Sequence, residues 1–192
     1  MKPVPFFLLK ARAEQIPLRD NSVSLVIATP PYLGAKRARQ KDCSTYDPEQ
    51  YRALLARFLR KASRTVKPGG HILLHTNEPP VLRIGTVIRI VFKVFEKRAR
   101  GGQGAHRSVA SETFKTRYRR LKGFWWLAFP IRVYLRLIRR YSRPGETVVH
   151  VFSGSGQGAI AALRCSRKPV LLDVHYHRQT RRRINRRIKG SA

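Results

Sequence analysis

The mainly apolar run Val23-Ser24-Leu25-Val26-Ile27 breaks into Ala28-Thr29-Pro30-Pro31-Tyr32, and this junction constrains the fold more than any other stretch. The run has strand length. Two prolines lack the N–H that a ladder needs and fix the backbone, so the strand must stop where they begin. Their carbonyls are left to point into whatever cleft lies beyond the strand. Thr29 adds a hydroxyl and Tyr32 a flat ring. Together they form a slot that accepts hydrogen bonds from an amino group on a planar ring while the tyrosine stacks on its face.

Strand-length runs and helical periodicities alternate elsewhere. Phe6 to Leu9 reads as an opening strand. Asp47-Pro48-Glu49-Gln50 reads as a helix start, with Asp47 as cap, Pro48 in the first turn and Gln50 completing a capping box. Tyr51, Leu54, Leu55, Phe58, Leu59 and Ala62 then recur at helical spacing; Pro68-Gly69-Gly70 closes that helix before a strand over 71–76. Ile84, Val87, Ile88, Val91, Phe92 and Phe95 have helical spacing but β-branched content. Gly101 to Gly104 predicts a mobile loop. Pro130 opens a helix with Ile131, Tyr134, Leu135 and Ile138 on one face; Pro144-Gly145 turns the chain into a strand over 147–152, followed by a helix over 158–165 and a strand over 169–174. A chain of 192 residues with this alternation predicts one α/β domain: a mostly parallel sheet with helices on both faces.

Ligands of open α/β sheets bind beyond the carboxyl ends of strands. Two corners fall there, Thr29 to Tyr32 and the loop Val151-Phe152-Ser153-Gly154-Ser155-Gly156. The glycines allow a tight turn and close approach to a ligand. Asp173 closes the next strand, where a carboxylate can hold both hydroxyls of a ribose. The loop lacks the third glycine of the dinucleotide fingerprint, and the chain has no Gly-Lys-Ser or Gly-Lys-Thr of a Walker loop.

Thr29-Pro30-Pro31-Tyr32 resembles motif IV of the DNA amino-methyltransferases, Asp, Asn or Ser followed by Pro-Pro-Tyr. Ile16 to Val23 is similar to the family's run before that strand, and Val66 to Leu74 to the turn and strand after its next helix. Phe152 to Gly156 resembles the Phe-x-Gly-x-Gly loop for S-adenosylmethionine. The catalytic motif precedes the cofactor motif, as in the β class, and the likeness spans about residues 6–76 and 124–188. It implies a Rossmann-like methyltransferase fold with S-adenosylmethionine as cofactor, a catalytic set of Thr29, Pro30, Pro31 and Tyr32, and a cofactor set of Phe152, Ser153, Gly154, Ser155, Gly156 and Asp173. It also implies a short target-recognition insert at about 77–123 in a single domain over 1–192. Three positions depart from the pattern. His150 stands for a common Asp, Ala11-Arg12 for Gly-Asp, and Gln157-Gly158 for Thr-Thr.

The reaction so implied places a methyl group on the exocyclic amino nitrogen of cytosine (N4) or adenine (N6), on a base flipped out of the duplex. That nitrogen's lone pair is delocalised into the ring, and acceptors such as Thr29 and the Pro30 carbonyl can localise it. Carbon-5 methylation needs a Pro-Cys thiolate, whereas Cys43 follows Asp42 and Cys165 follows Arg164. A hydroxyl at position 29 leans towards cytosine.

Charge points to the same partner. Lys and Arg number 41 against 10 acids, a formal net charge of +31, which implies a polyanion such as nucleic acid. Between Lys93 and Arg143 the only acids are Glu96 and Glu112, and Lys115, Arg117, Arg119, Arg120 and Lys122 are the candidate nucleic-acid contacts. Phe124, Trp125 and Trp126 read as core or as base-stacking residues. The basic run over 178–192 reads as a basic tail, either a solvated helix end or frayed chain, or in contact with phosphate. His175 and His177 make too thin a ligand set to predict a metal. Two cysteines without a Cys-x-x-Cys pair, and a short proline-broken N-terminal apolar run, point to a reducing cytoplasm without membrane insertion, and the resemblance implies that of a bacterium or a phage-infected cell. DNA is the expected partner, along with a helper or restriction partner. The alternatives are an RNA methyltransferase, a non-catalytic nucleic-acid-binding relative, and a membrane-surface protein using the segment 84–95.

Overall fold

The structure, a computed structural model, describes residues 6–30, 47–75, 88–98, 106–116, 119–120, 127–175 and 177–189. Its strands are β1 (Phe7–Lys10), β2 (Val23–Ala28), β3 (Val66–His75), β4 (Ile88–Lys97), β5 (His106–Thr116), β6 (Arg119–Arg120), β7 (Leu127–Ala128), β8 (Thr147–Val151) and β9 (Lys168–Asp173). Its helices are α1 (Pro48–Thr65), α2 (Ile131–Tyr141), α3 (Gln157–Arg164) and α4 (His177–Lys189). Seven strands form one sheet in the order β1-β9-β8-β2-β3-β4-β5, and β6 pairs with β7 separately. The sheet is parallel from β1 to β3, and β4 runs antiparallel to both β3 and β5.

The strand β2 is buried at every position, as a central parallel strand covered on both faces must be. Leu25 and Ile27 face a core shared with α2 and α3, through Val133, Leu137, Ala161 and Ala162. Val26 and Ala28 face the opposite core, where α1 contributes Phe58 and Ala62. Helices therefore cover both faces, as expected from the sequence.

Asp47 caps α1 by accepting hydrogen bonds from the backbone N–H groups of Glu49 and Gln50, each 2.8 Å long. The helix ends at Thr65, before the Pro-Gly-Gly expected to stop it. Its last carbonyls are taken up by Asn21 N–H and Ser22 N–H, bonded to Arg64 and Thr65. Lys67 to Gly70 lie within β3 as a register irregularity, since Val23 pairs with Val66 but Leu25 with His71.

Three sequence readings are settled or corrected. Of the two signals in conflict from Ile84 to Phe95, β-branched content prevails over helical spacing across 88–97, which form strand β4 paired on both sides. The membrane-surface reading loses its amphipathic helix over those residues. On α2 the buried face is Val133, Tyr134, Leu137 and Ile138, with Ile131 and Leu135 half-buried at its edges. The basic run from Arg178, read as a solvated helix end or a frayed tail, is a docked helix over His177–Lys189. Thr180, Ile184 and Ile188 fall at i, i+4 and i+8, and Ile184 is fully buried against Leu8, Ile160 and Leu171. The loop at 101–104 and the aromatic cluster at 124–126 lie outside the described residues.

Candidate active site

From β8 the chain passes through α3 to β9, towards one edge of the sheet; from β2 it passes through α1 to β3, towards the other. The two progressions diverge between β8 and β2, which are parallel neighbours. A crevice opens at such a switch point, beyond the carboxyl ends of the two strands. Thr29 leaves β2 and Phe152 leaves β8 at this place. Thr29 N–H bonds to the Val151 carbonyl at 3.4 Å, and the Thr29 hydroxyl lies 3.2 Å from the Phe152 carbonyl. The two corners picked out from sequence thus sit side by side. Pro30 is buried beside them. Pro31 and Tyr32 lie outside the described residues.

The glycine loop is held from beneath and from one flank. Phe152 adopts the left-handed φ of 56°, a costly conformation for a non-glycine residue and one that clusters at functional sites. Gly154 N–H donates to Asp173 Oδ2 at 2.7 Å, and His175 N–H donates to Asp173 Oδ1 at 2.8 Å. Asp173 therefore fixes the loop backbone. Helix α4 supplies the rest. Thr180 Oγ1 donates to the Gly154 carbonyl at 2.5 Å, and Arg183 donates to the Ser155 carbonyl at 2.7 Å and to Gln157 Oε1 at 2.8 Å. A Cβ on Gly156 would come within 2.9 Å of Thr180 Cγ2, so α4 packs this close only against a glycine. Ser153 and Ser155 are buried in the loop, and Ser153 Oγ has no hydrogen-bond partner among the described residues.

His150 points from β8 into the core shared with α2 and α3. Its Nε2 lies 3.2 Å from Thr29 Oγ1, its ring lies 5.0 Å from that of Tyr134, and its Nδ1 has no hydrogen-bond partner among the described residues. Burial drives its pKa down to about 3, so the imidazole is neutral at physiological pH. A Cβ on Gly158 would stand 2.3 Å from His150 Nδ1. The ring thus occupies the space that a side chain at 158 would need.

The strand β5 is parallel to β2 and β3 by way of β4, so it ends on the edge of the sheet where the crevice lies. Lys115 is the second-last residue of β5, paired with Arg89, and Arg119 and Arg120 form β6. Arg117 and Lys122 lie outside the described residues. The sequence-based set missed His150, Thr180 and Arg183 as parts of the site. For Thr180 the signal was its helical spacing from Ile184; for His150 and Arg183 only the fold supplies the contacts. Among the described residues, no helix is long and apolar enough to cross a membrane, and no group of three or more His, Cys, Asp and Glu side chains is placed to hold a metal ion.

No protein-family model matches the chain, and no curated protein sequence matches it. Solved structures do. A Thermus thermophilus protein provisionally classed as a DNA modification methylase, in complex with S-adenosyl-L-methionine, superposes with a TM-score of 0.64 at 18% identity, over 97% of this chain and 96% of that one. The two chains share a fold. The cytosine-N4-specific PvuII DNA methyltransferase superposes with a TM-score of 0.57 at 13% identity, over 98% and 96% of the two chains. The M1.HpyAVI complex with SAM gives 0.55 at 13%, over 94% and 100%. The fold described above is therefore shared with proteins so named.

Proposed function

We propose that this protein transfers a methyl group from S-adenosylmethionine to an exocyclic amino nitrogen of cytosine or adenine in DNA, acting as one methyltransferase unit. The observation that carries this reading is the direct contact between Thr29 and Phe152, which joins an amino-accepting corner to a glycine loop at the switch point of the sheet. A carboxylate at 173 and a hydroxyl at 29 are the chemical types suited to a nucleoside and an amino group respectively. The residues fit the nucleoside part of the cofactor: a glycine loop, a buried unpartnered Ser153 hydroxyl and a carboxylate at the next strand's end. When bound, the cofactor would supply an electrophilic methyl on a sulfonium. The chain's part is to hold the amino nitrogen in line, with Thr29 and the Pro30 carbonyl accepting hydrogen bonds from its N–H groups and Tyr32 stacking on the base.

The β5 backbone runs out at Thr116 on the crevice side, and the basic residues at 115, 117, 119, 120 and 122 are suited to phosphate contact. The hydroxyl at position 29 and the N4-specific PvuII neighbour favour cytosine over adenine.

A second reading, a nucleic-acid-binding protein without transferase activity, is favoured by one observation: the site holds a neutral His150 where the family pattern places a carboxylate. Incubation with tritiated S-adenosylmethionine and unmethylated DNA or RNA separates the readings. Label in DNA supports the proposal. Label in RNA alone moves the substrate class, and retardation of DNA without label favours the second reading. Tyr32→Ala should abolish transfer while leaving DNA retardation intact; unchanged turnover would remove Tyr32 from the mechanism.

A further inference from the structure

Two hydrogen bonds meet at one hydroxyl. Thr29 Oγ1 is 3.2 Å from His150 Nε2 and 3.2 Å from the Phe152 carbonyl oxygen. A hydroxyl has one proton and two acceptor lone pairs, and a carbonyl oxygen can only accept. Two arrangements exist. If Thr29 gave its proton to Nε2, the imidazole would carry its own proton on Nδ1, which is buried and without a partner among the described residues. The Phe152 carbonyl would then face a lone pair. If Thr29 gives its proton to the Phe152 carbonyl, His150 is protonated on Nε2 and donates to Thr29, while Nδ1 holds a lone pair. The second arrangement makes both bonds and leaves unmet only an acceptor, whereas orphaned buried N–H groups are the rarer and costlier defect.

We infer that His150 is a positioning residue: its Nε2–H donates to Thr29 Oγ1, commits the Thr29 proton to the Phe152 carbonyl, and so presents Thr29 to the crevice as a pure acceptor. This deepens the proposed function and rests on it for its consequence, although the hydrogen-bond direction stands independently of it. A freely rotating threonine hydroxyl is both donor and acceptor, and would serve a ring carbonyl or an unprotonated ring nitrogen as readily as an amino group. With its proton committed to the backbone, Thr29 selects a substrate that brings N–H. The arrangement also joins the two halves of the site, since the carbonyl that takes the proton belongs to the first residue of the glycine loop. The ring is locked in this pose by Tyr134 on one side and by the bare Cα of Gly158 on the other.

Nitrogen-15 spectra of the histidine-labelled full-length protein test the direction without reference to activity. The inference requires a neutral His150 protonated on Nε2, with the same tautomer persisting to about pH 5. A His150 protonated on Nδ1, or an imidazolium at neutral pH, overturns it. Thr29→Val should shift the His150 Nε2 resonance; an unmoved resonance also overturns it. The second arm is kinetic. His150→Leu, which removes the donor, should lower kcat about fivefold to tenfold with little change in the KM for S-adenosylmethionine. His150→Gln, which can place an N–H donor near the Nε2 position, should recover most of that loss. Equal losses in the two variants would mean that the ring only fills space, and would overturn the positioning role. Wild-type protein that transfers no label defeats the methyltransferase reading instead, and leaves the spectra to decide the hydrogen-bond direction.

Discussion

The imidazole of His150 fills the space beside Gly158 in which a Cβ would stand 2.3 Å from Nδ1. Glycine inside a helix costs about 1 kcal/mol relative to alanine, so Gly158→Ala in α3 would ordinarily stabilise the protein. Here the sign should reverse, with a loss of about 1–3 kcal/mol from overpacking. In a His150→Ala background the same substitution should become neutral or stabilising. Urea denaturation of the four proteins of this cycle measures the coupling; equal effects of Gly158→Ala in both backgrounds would show that the two residues do not compete for space.

Asp173 holds two backbone N–H groups, one on each carboxylate oxygen. Asp173→Asn keeps one acceptor oxygen and turns an amide donor towards one of these N–H groups. The glycine loop should loosen, and affinity for S-adenosylmethionine should fall about tenfold or more, as expected when a charged acceptor is lost and a donor is left facing a donor. Calorimetric titration of both proteins checks this; unchanged affinity would remove Asp173 from the cofactor site.

Helix α4 has two separable tasks. Ile184 is fully buried, so Ile184→Ala should cost about 2–5 kcal/mol of stability. Arg183 is half-buried and donates to the Ser155 carbonyl in the loop and to Gln157 Oε1 at the start of α3. Arg183→Ala should leave thermal stability within about 1 kcal/mol while weakening cofactor binding several-fold. If both variants lost only stability, α4 would be a packing element without influence on the loop.

Acid should expose the buried imidazole. The folded pKa of His150 is lowered to about 3 from 6.5 in a model chain, and burial is the cause. Between those values the unfolded chain binds a proton that the folded one refuses. The contribution is therefore fully present above about pH 6.5 and is lost as pH falls towards 3, with a slope of up to about 1.4 kcal/mol per pH unit. Glu146 adds loss in the same direction: burial raises its pKa, but the hydrogen bonds from Lys67 and the Arg143 backbone prevail and lower it. The difference in stability between wild type and His150→Gln isolates the histidine. That difference should shift in favour of the variant as pH falls below about 6; a pH-independent difference would refute a buried neutral histidine.

Much of the architecture could be read before any coordinates, because it is written in local rules. Prolines at 30 and 31 end a buried strand, Asp47-Pro48 starts a helix, and glycines at 154 and 156 take the left-handed φ values of 45° and 72° that the loop needs. The strands β8 and β9 and the helix α3 follow the same local grammar. Where local signals conflicted, at Ile88 to Phe95, neighbours on both sides of the strand decided, since cross-strand pairing depends on partners distant in sequence.

The sequence by itself determined the alternation of strands and helices, the two corners that interrupt them and a surface charge suited to a polyanion. Only the tertiary structure decided that the corners touch, because the adjacency of β2 and β8 joins residues more than a hundred positions apart, as in the Thr29–His150 contact. It also decided that His150 is buried and neutral, that Gly158 makes room for it, and that the basic C-terminal run docks on the glycine loop. Burial, hydrogen-bond direction and shared space are properties of pairs of residues, and the fold alone selects the pairs.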